Sequence, residues 1–243
     1  MHSDTPTLEL RDLCVEVGGK TVVSDLSLRV MPGETHVLLG PNGSGKSSLL
    51  AAIMGLPPWK VVSGSILVDG EDIRGLDLRA RAEAGIGMAF QRPPSLDGVT
   101  VTAFAQSLGA DARLAEAAAK LDLQDFISRD MNVGFSGGEI KRWEVLKLVL
   151  QDPRVMLFDE PESGVDLEHV RAIGQAIREM VNTPDGQGRP RAGLVITHTG
   201  LILSHVDAAR AHILKEGKLV HSGDPMALFT HIQTRGYTVP QTA

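Results

Sequence analysis

The chain has 243 residues, 42% hydrophobic and 22% charged, with a net charge of −6 and no long basic block. That balance is globular, and without clustered Lys and Arg nucleic acid is not expected as the main partner. No apolar run reaches the roughly 18 residues of a membrane span. The opening stretch MHSDTPTLELRD lacks the apolar centre of a signal peptide, and one cysteine, Cys14, excludes an internal disulfide or a Cys-based metal site. A soluble, cytoplasmic protein is expected.

Residues 7–17 and 21–30 are β-rich and separated by Gly18-Gly19-Lys20, which predicts an antiparallel pair. After the Pro32-Gly33 turn, Thr35–Leu39 predicts a buried strand that runs into a glycine-rich stretch, Gly40 to Ser47, and a helix from Ser48 to Met54. Residues 64–69 and 86–90 predict two more strands. From about Val99 to Arg129 the alanine-rich segments TAFAQSL and ARLAEAAAKLD predict helices with no strand between them. The apolar recurrence Ile140, Trp143, Leu146, Leu150 predicts a helix from Gly137 to about Gln151. There follow a strand, Val155–Phe158, a helix, Leu167–Val181, a Pro- and Gly-rich loop, Asn182–Arg191, and a strand, Gly193–Thr197. Short strands at Ala211–Leu214 and Lys218–His221 and a last helix from about Pro225 complete the chain. Alternating strands and helices imply an α/β fold with a mostly parallel core sheet, here with an antiparallel β edge. The expected organisation is one domain, 1–243, in which 1–91 and 152–243 form the α/β core and 92–151 an inserted helical lobe.

Gly40-x-x-x-x-Gly45-Lys46-Ser47, between a strand and a helix, fits the P-loop pattern at every fixed position. There the backbone N–H groups of Gly40, Asn42, Gly43, Ser44, Gly45, Lys46, Ser47 and Ser48 can wrap phosphates, Lys46 can reach the β- and γ-phosphates, and Ser47 offers a hydroxyl to Mg²⁺. The strand 155–158 ends in Asp159-Glu160, two carboxylates that need partners. Neighbours on a strand face opposite ways, so separate roles are expected: Asp159 toward Mg²⁺, Glu160 toward an attacking water. Gln91, at another strand end, could ligate Mg²⁺ or position water, or be merely solvated; His198 could be catalytic or a satisfied structural histidine; Ser163–Asp166 could be a plain helix-capping turn. Ser136 and Glu139 fit a capping box, but Gly137 and Gly138 sit in the first helical turn, where each glycine costs roughly 1 kcal/mol relative to alanine. A bare helix start is an anion site.

The order P-loop, Gln91, Ser136-Gly137-Gly138, Asp159-Glu160, Asp166, His198 resembles the ABC ATPase family over essentially the whole chain. GPNGSGKS resembles its Walker A, VMLFDE its Walker B, FSGGE its signature, SGVD its D-loop, and His198 its switch histidine. The resemblance implies a P-loop NTPase fold and ATP hydrolysis with Mg²⁺, with Glu160, His198, Lys46 and Gln91 catalytic and Ser47, Gln91 and Asp159 at the metal. It also implies an ATP-dependent dimer in which Ser136, Gly137 and Gly138 face ATP held by the opposite subunit. Finer details resemble the SufC group, the ATPases of the SUF iron–sulfur cluster assembly system: GFSGGE followed by Lys141-Arg142, Val17 where an adenine-stacking aromatic is usual, and LKEGKLVHSGD followed by THIQTRGY. The partners so implied are SufB- and SufD-like scaffold proteins, docking in the groove between Gln91–Leu96 and the helical lobe; in a transporter the same groove would receive a membrane subunit.

Overall fold

The computed structural model describes residues 5–238. In chain order the elements are β1 (Leu8–Val17), β2 (Lys20–Val30), β3 (Thr35–Leu39), α1 (Lys46–Met54), β4 (Lys60–Val68), β5 (Glu71–Asp72), α2 (Leu78–Glu83) and β6 (Ile86–Ala89). Then come β7 (Leu96–Thr100), α3 (Val101–Ser107), α4 (Asp111–Lys120), β8 (Asp130–Met131) and α5 (Gly137–Gln151). The chain continues with β9 (Val155–Asp159), α6 (Leu167–Asn182), β10 (Ala192–Ile196), β11 (Ala208–Lys215), β12 (Lys218–Gly223) and α7 (Pro225–Arg235).

The central sheet has six strands in the order β12-β11-β3-β10-β9-β6. Five run parallel, and β12 pairs antiparallel with β11 to give the sheet its antiparallel edge. β3, β9 and β10 are buried along their full length, as expected of parallel strands covered on both faces. Their side chains divide by the two-residue period between two cores. Leu38, Val155, Leu157, Leu194 and Ile196 face α1 and the antiparallel strands. Val37, Leu39, Met156, Phe158 and Val195 face α5, α6 and the helical lobe. The β1–β2 pair does not extend the central sheet. It belongs to a separate antiparallel sheet, β2-β1-β4-β5, that packs over α1.

The lobe departs from the sequence expectation. β7 and β8 form a two-stranded ribbon at the two borders of the segment 99–129, which is otherwise helical as expected; the sequence reading placed no strand at either border. All but the last residue of β7 are exposed, so it carries no inward–outward alternation to read. β4 starts at Lys60 rather than near residue 64, and α2, a six-residue helix capped by Asp77, precedes β6. The loop 183–191 is a closed turn. The Asp185 carboxylate accepts the backbone N–H groups of Gln187 and Arg189 and the Arg189 guanidinium, while buried Arg191 donates to Met180 O and Asp152.

At the foot of the central sheet, His36 of β3 and His212 of β11 are both buried and joined Nδ1 to Nε2 at 3.0 Å. Ser222 closes one end of this chain (2.6 Å from His212 Nδ1) and Glu34 the other (3.0 Å from His36 Nε2). Burial, with the neighbouring His36 and Arg210, holds the His212 imidazole down to about 3. A histidine depressed in the folded state stabilises fully above its unfolded value of about 6.5, and that stability is lost as the pH falls toward the folded value, because the unfolded chain takes the proton first. We therefore expect His212→Asn to lose less stability than the wild type between pH 7 and 4.5, by about 2 kcal/mol, measured by urea denaturation at both pH values.

Candidate active site

The P-loop is shaped by what surrounds it. A Cβ on Gly40 would lie 2.2 Å from Leu214 O, and one on Gly45 would lie 2.5 Å from Val22 O at a φ of +104°. Both positions therefore demand glycine, and the demand comes from β11 and β2. α1 begins at Gly45 with no side-chain cap and no acidic residue in its first turn, so its N–H groups are free to meet an anion. Asn42, Gly43, Ser44, Gly45, Lys46, Ser47 and Ser48 line a polar cavity of about 380 Å³ together with Gln91, Glu160 and His198. Gly40 lies beneath it, its carbonyl accepting from Lys46 Nζ at 2.7 Å, with Pro41 O at 3.0 Å. Burial lowers the Lys46 ammonium from its ordinary range, and the charges of Glu160 and Asp159 oppose that shift.

Asp159 ends β9 and Glu160 follows it outside the strand, so a turn rather than strand alternation sets the two carboxylates on different partners. Buried Asp159 accepts the Ser47 hydroxyl at 3.1 Å, and burial raises its carboxyl, opposed by that hydrogen bond and by Lys141 and Lys46. Glu160 takes a left-handed backbone, φ +50°, unusual for a non-glycine residue. Its N–H donates to Ile196 O at 3.1 Å, pinning the turn to β10. Gln91 Nε2 donates to Glu160 Oε2 at 2.6 Å, and His198 Nε2 pairs with Oε1. Gln91 and His198 thus both hold the same carboxylate. Because Gln91 spends its amide N–H on Glu160, its carbonyl oxygen remains to accept a cation. Together with Ser47 and Asp159 it makes a hydroxyl, carboxylate and amide-oxygen donor set, the hard ligands that suit Mg²⁺ bound mainly through phosphates.

Ser136, Gly137 and Gly138 do not share this cavity. The capping box forms: Ser136 N–H donates to Glu139 Oε2 at 2.6 Å, and Glu139 N–H donates to Ser136 Oγ at 3.4 Å. A Cβ on Gly137 or Gly138 would meet nothing within 4 Å, so nothing among the described residues demands glycine there. Asp166 does what a plain turn would do, capping α6 through His169 N–H and pairing with His169 Nδ1 at 2.6 Å.

Several supporting residues escaped the sequence reading. Along α5, Lys141, Glu144 and Lys147 are buried, which the apolar spacing alone does not show. Lys141 Nζ reaches Asp159 O at 3.5 Å, and its ammonium is lowered by burial against the pull of Asp159 and Glu160. Glu144 Oε2 accepts Phe90 N–H at 2.7 Å and Lys147 Nζ at 2.6 Å, so the helix grips the residue just before Gln91. Phe90, Pro93, Pro94, Leu96, Phe104 and Trp143 line a neighbouring cavity of about 250 Å³, in the expected groove.

Residues 23–163 match the family model described as ABC transporter. The chain is 35% identical over 246 residues to vegetative protein 296 of Bacillus subtilis, covering 95% of this chain and 92% of that protein. It is 34% identical over 247 residues to the probable ATP-dependent transporter SufC of Escherichia coli, covering 95% and 97%. A probable ABC transporter ATP-binding protein of Streptococcus pyogenes is likewise 34% identical, with 95% and 93% covered. In fold it is similar to a nucleotide-free ATP-binding cassette from an ABC transporter, with TM-score 0.77 at 20% identity over 94% of this chain and 95% of that one. The chain therefore belongs to the ABC family, and it is an ATP-binding, ATP-hydrolysing subunit of that class. Among the described residues no helix is long and apolar enough to cross a membrane.

The grip of α5 on the site is testable. Removing one partner of a buried ion pair strands the other charge, at a cost of roughly 3–5 kcal/mol. Glu144→Ala should destabilise the protein by about that much, since it strands both Lys147 and the Phe90 N–H; equilibrium denaturation would measure it.

Proposed function

We propose that this subunit uses ATP hydrolysis to drive conformational change in SufB- and SufD-like scaffold proteins during iron–sulfur cluster assembly. The observation that carries this reading is the signature stretch, Gly134 to Arg142, with Lys141 turned inward to Asp159. The 34% identity to the E. coli SufC, over 95% of the chain, supports it. The groove beside Phe90–Leu96 is the proposed docking surface, because a partner seated there would bear on the Phe90–Glu144 contact next to Gln91. The lobe, 92–151, is then the part that passes docking to the core, 1–91 and 152–243. A second reading, the energising subunit of a membrane transporter, is favoured by the names of the streptococcal relatives. Tagged protein captured from its native lysate discriminates the two. Recovery of soluble SufB- or SufD-like proteins is expected; a multi-span membrane protein in their place would overturn the first reading.

At the site, Lys46 and the P-loop N–H groups hold the triphosphate, Glu160 orients and polarises the attacking water, and His198 and Gln91 fix Glu160 and the γ-phosphate region. Ser47, Asp159 and Gln91 hold Mg²⁺, which offsets phosphate charge when bound. In the dimer, Ser136, Gly137 and Gly138 turn their exposed helix start toward ATP held by a second copy. A dimeric post-hydrolysis state bound to ADP and Pi is known for a cassette of the same fold.

Glu160→Gln should lower turnover at least about 100-fold while ATP still binds, and should accumulate an ATP-bound dimer in size-exclusion chromatography. Adding Ser136→Arg should abolish that dimer and leave nucleotide binding by the monomer intact. Loss of monomer affinity would show instead that the signature serves its own subunit's nucleotide.

A further inference from the structure

Glu162 is buried, 3% exposed, two residues beyond Glu160. Its Oε1 accepts two hydroxyls, Thr197 Oγ1 and Thr199 Oγ1, the latter at 3.1 Å. Those threonines flank His198 on either side. Each hydroxyl is pinned in turn by a backbone donor: Gly200 N–H to Thr197 Oγ1 at 3.1 Å, and Leu201 N–H to Thr199 Oγ1 at 3.3 Å. The loop that carries His198 is thus fastened at one oxygen of one buried carboxyl group. The other oxygen, Oε2, is buried without a hydrogen-bond partner among the described residues. Burial raises the Glu162 carboxyl and the two threonines oppose that shift. Leaving a polar atom buried and unmade is unfavourable, so a group kept there for stability alone would be better replaced by an apolar one. The arrangement makes sense if what matters is the placement of the loop.

We infer that Glu162 is a positioning residue, which fixes His198 against Glu160 by holding Thr197 and Thr199. It is not among the residues that line the P-loop cavity. Its effect passes through the imidazole that occupies Glu160 Oε1. The inference rests on the roles proposed for His198 and Glu160, and it adds a specific requirement: an acceptor at position 162 that reaches both hydroxyls. A glutamine meets that requirement through its amide oxygen; an alanine does not.

Steady-state ATP hydrolysis by the purified full chain, with nucleotide affinity measured separately, tests this. Glu162→Ala should lower kcat about 10–100-fold with ATP affinity essentially unchanged, and Glu162→Gln should restore most of the rate. In a His198→Ala background Glu162→Ala should add no further loss, because the two act through one path. A full additional loss there would overturn the inference, as would wild-type turnover by Glu162→Ala alone. If His198→Ala itself leaves kcat unchanged, the role proposed for His198 is wrong, and the inference falls with it. Should Glu162→Ala not fold, Thr199→Val removes one of the two hydroxyls without changing shape. It should lower kcat at least about threefold, with Thr199→Ser restoring the rate; a wild-type rate for Thr199→Val would overturn the inference.

Discussion

Asp159, Glu160 and Glu162 crowd three carboxylates, each less than a tenth exposed, into four residues at the end of β9. Carboxylates taken from water and set side by side repel one another and forgo hydration, a cost that only partners can offset. Each finds a different set. Asp159 has the Ser47 hydroxyl and the charges of Lys46 and Lys141, Glu160 has Gln91 and His198, and Glu162 has Thr197 and Thr199. Those partners come from α1, from the ends of β6 and β10, and from α5. The negative charge at one strand end is what draws the elements of the site together, and the parallel order β10-β9-β6 makes that possible by bringing three strand ends to one edge.

The same electrostatics tie the lobe to the core. α5 is buried along most of its length, and it carries Lys141 toward Asp159 and Glu144 toward Phe90 N–H. Buried charges of this kind are a weak source of net stability, because desolvation offsets much of their attraction. They do fix register. If α5 slides or turns, Glu144 lets go of the residue before Gln91, and Lys141 leaves the strand that ends in Asp159 and Glu160. The groove beside α5 is thus linked through Glu144 and Phe90 to Gln91, and Gln91 is hydrogen-bonded to Glu160.

What could be read from the sequence was whatever depends on neighbours close in the chain. The P-loop was legible because its glycines, lysine and serine lie within one turn and one loop. The strands β3, β9 and β10 were legible because burial on both faces leaves unbroken apolar runs. Gln91 and His198 stood out only as polar residues at the ends of such runs, and that both contact Glu160 could not be read from the sequence. Glu162 was illegible: its hydroxyl partners lie 35 and 37 residues away, and only the pairing of β9 with β10 brings them within reach. The burial of the α5 charges was illegible for a related reason. Periodicity identifies the apolar stripe of a helix but not whether its other face is also covered, and here it is covered by β6 and the lobe. The ribbon of β7 and β8 left no trace because exposed strands need no alternation.

The glycines divide into two kinds, and the division bears on what lies outside the chain. Gly40 and Gly45 are required by atoms of this protein, the carbonyls of Leu214 and Val22, which leave no room for a methyl group. Gly137 and Gly138 have no such neighbour, and neither adopts a positive φ that would favour glycine. Nothing internal offsets their cost to the start of α5, about 1 kcal/mol each. Ser136 and Glu139 already satisfy the ordinary need for a cap. A residue pair that weakens its own helix, relieves no internal contact and stands at the surface is explained by something that must come close to the backbone from elsewhere. The free N–H groups of a helix start select an anion for that role. The chain's own P-loop cavity does not include these residues, which is the ground for proposing that the anion is a phosphate presented by a second copy.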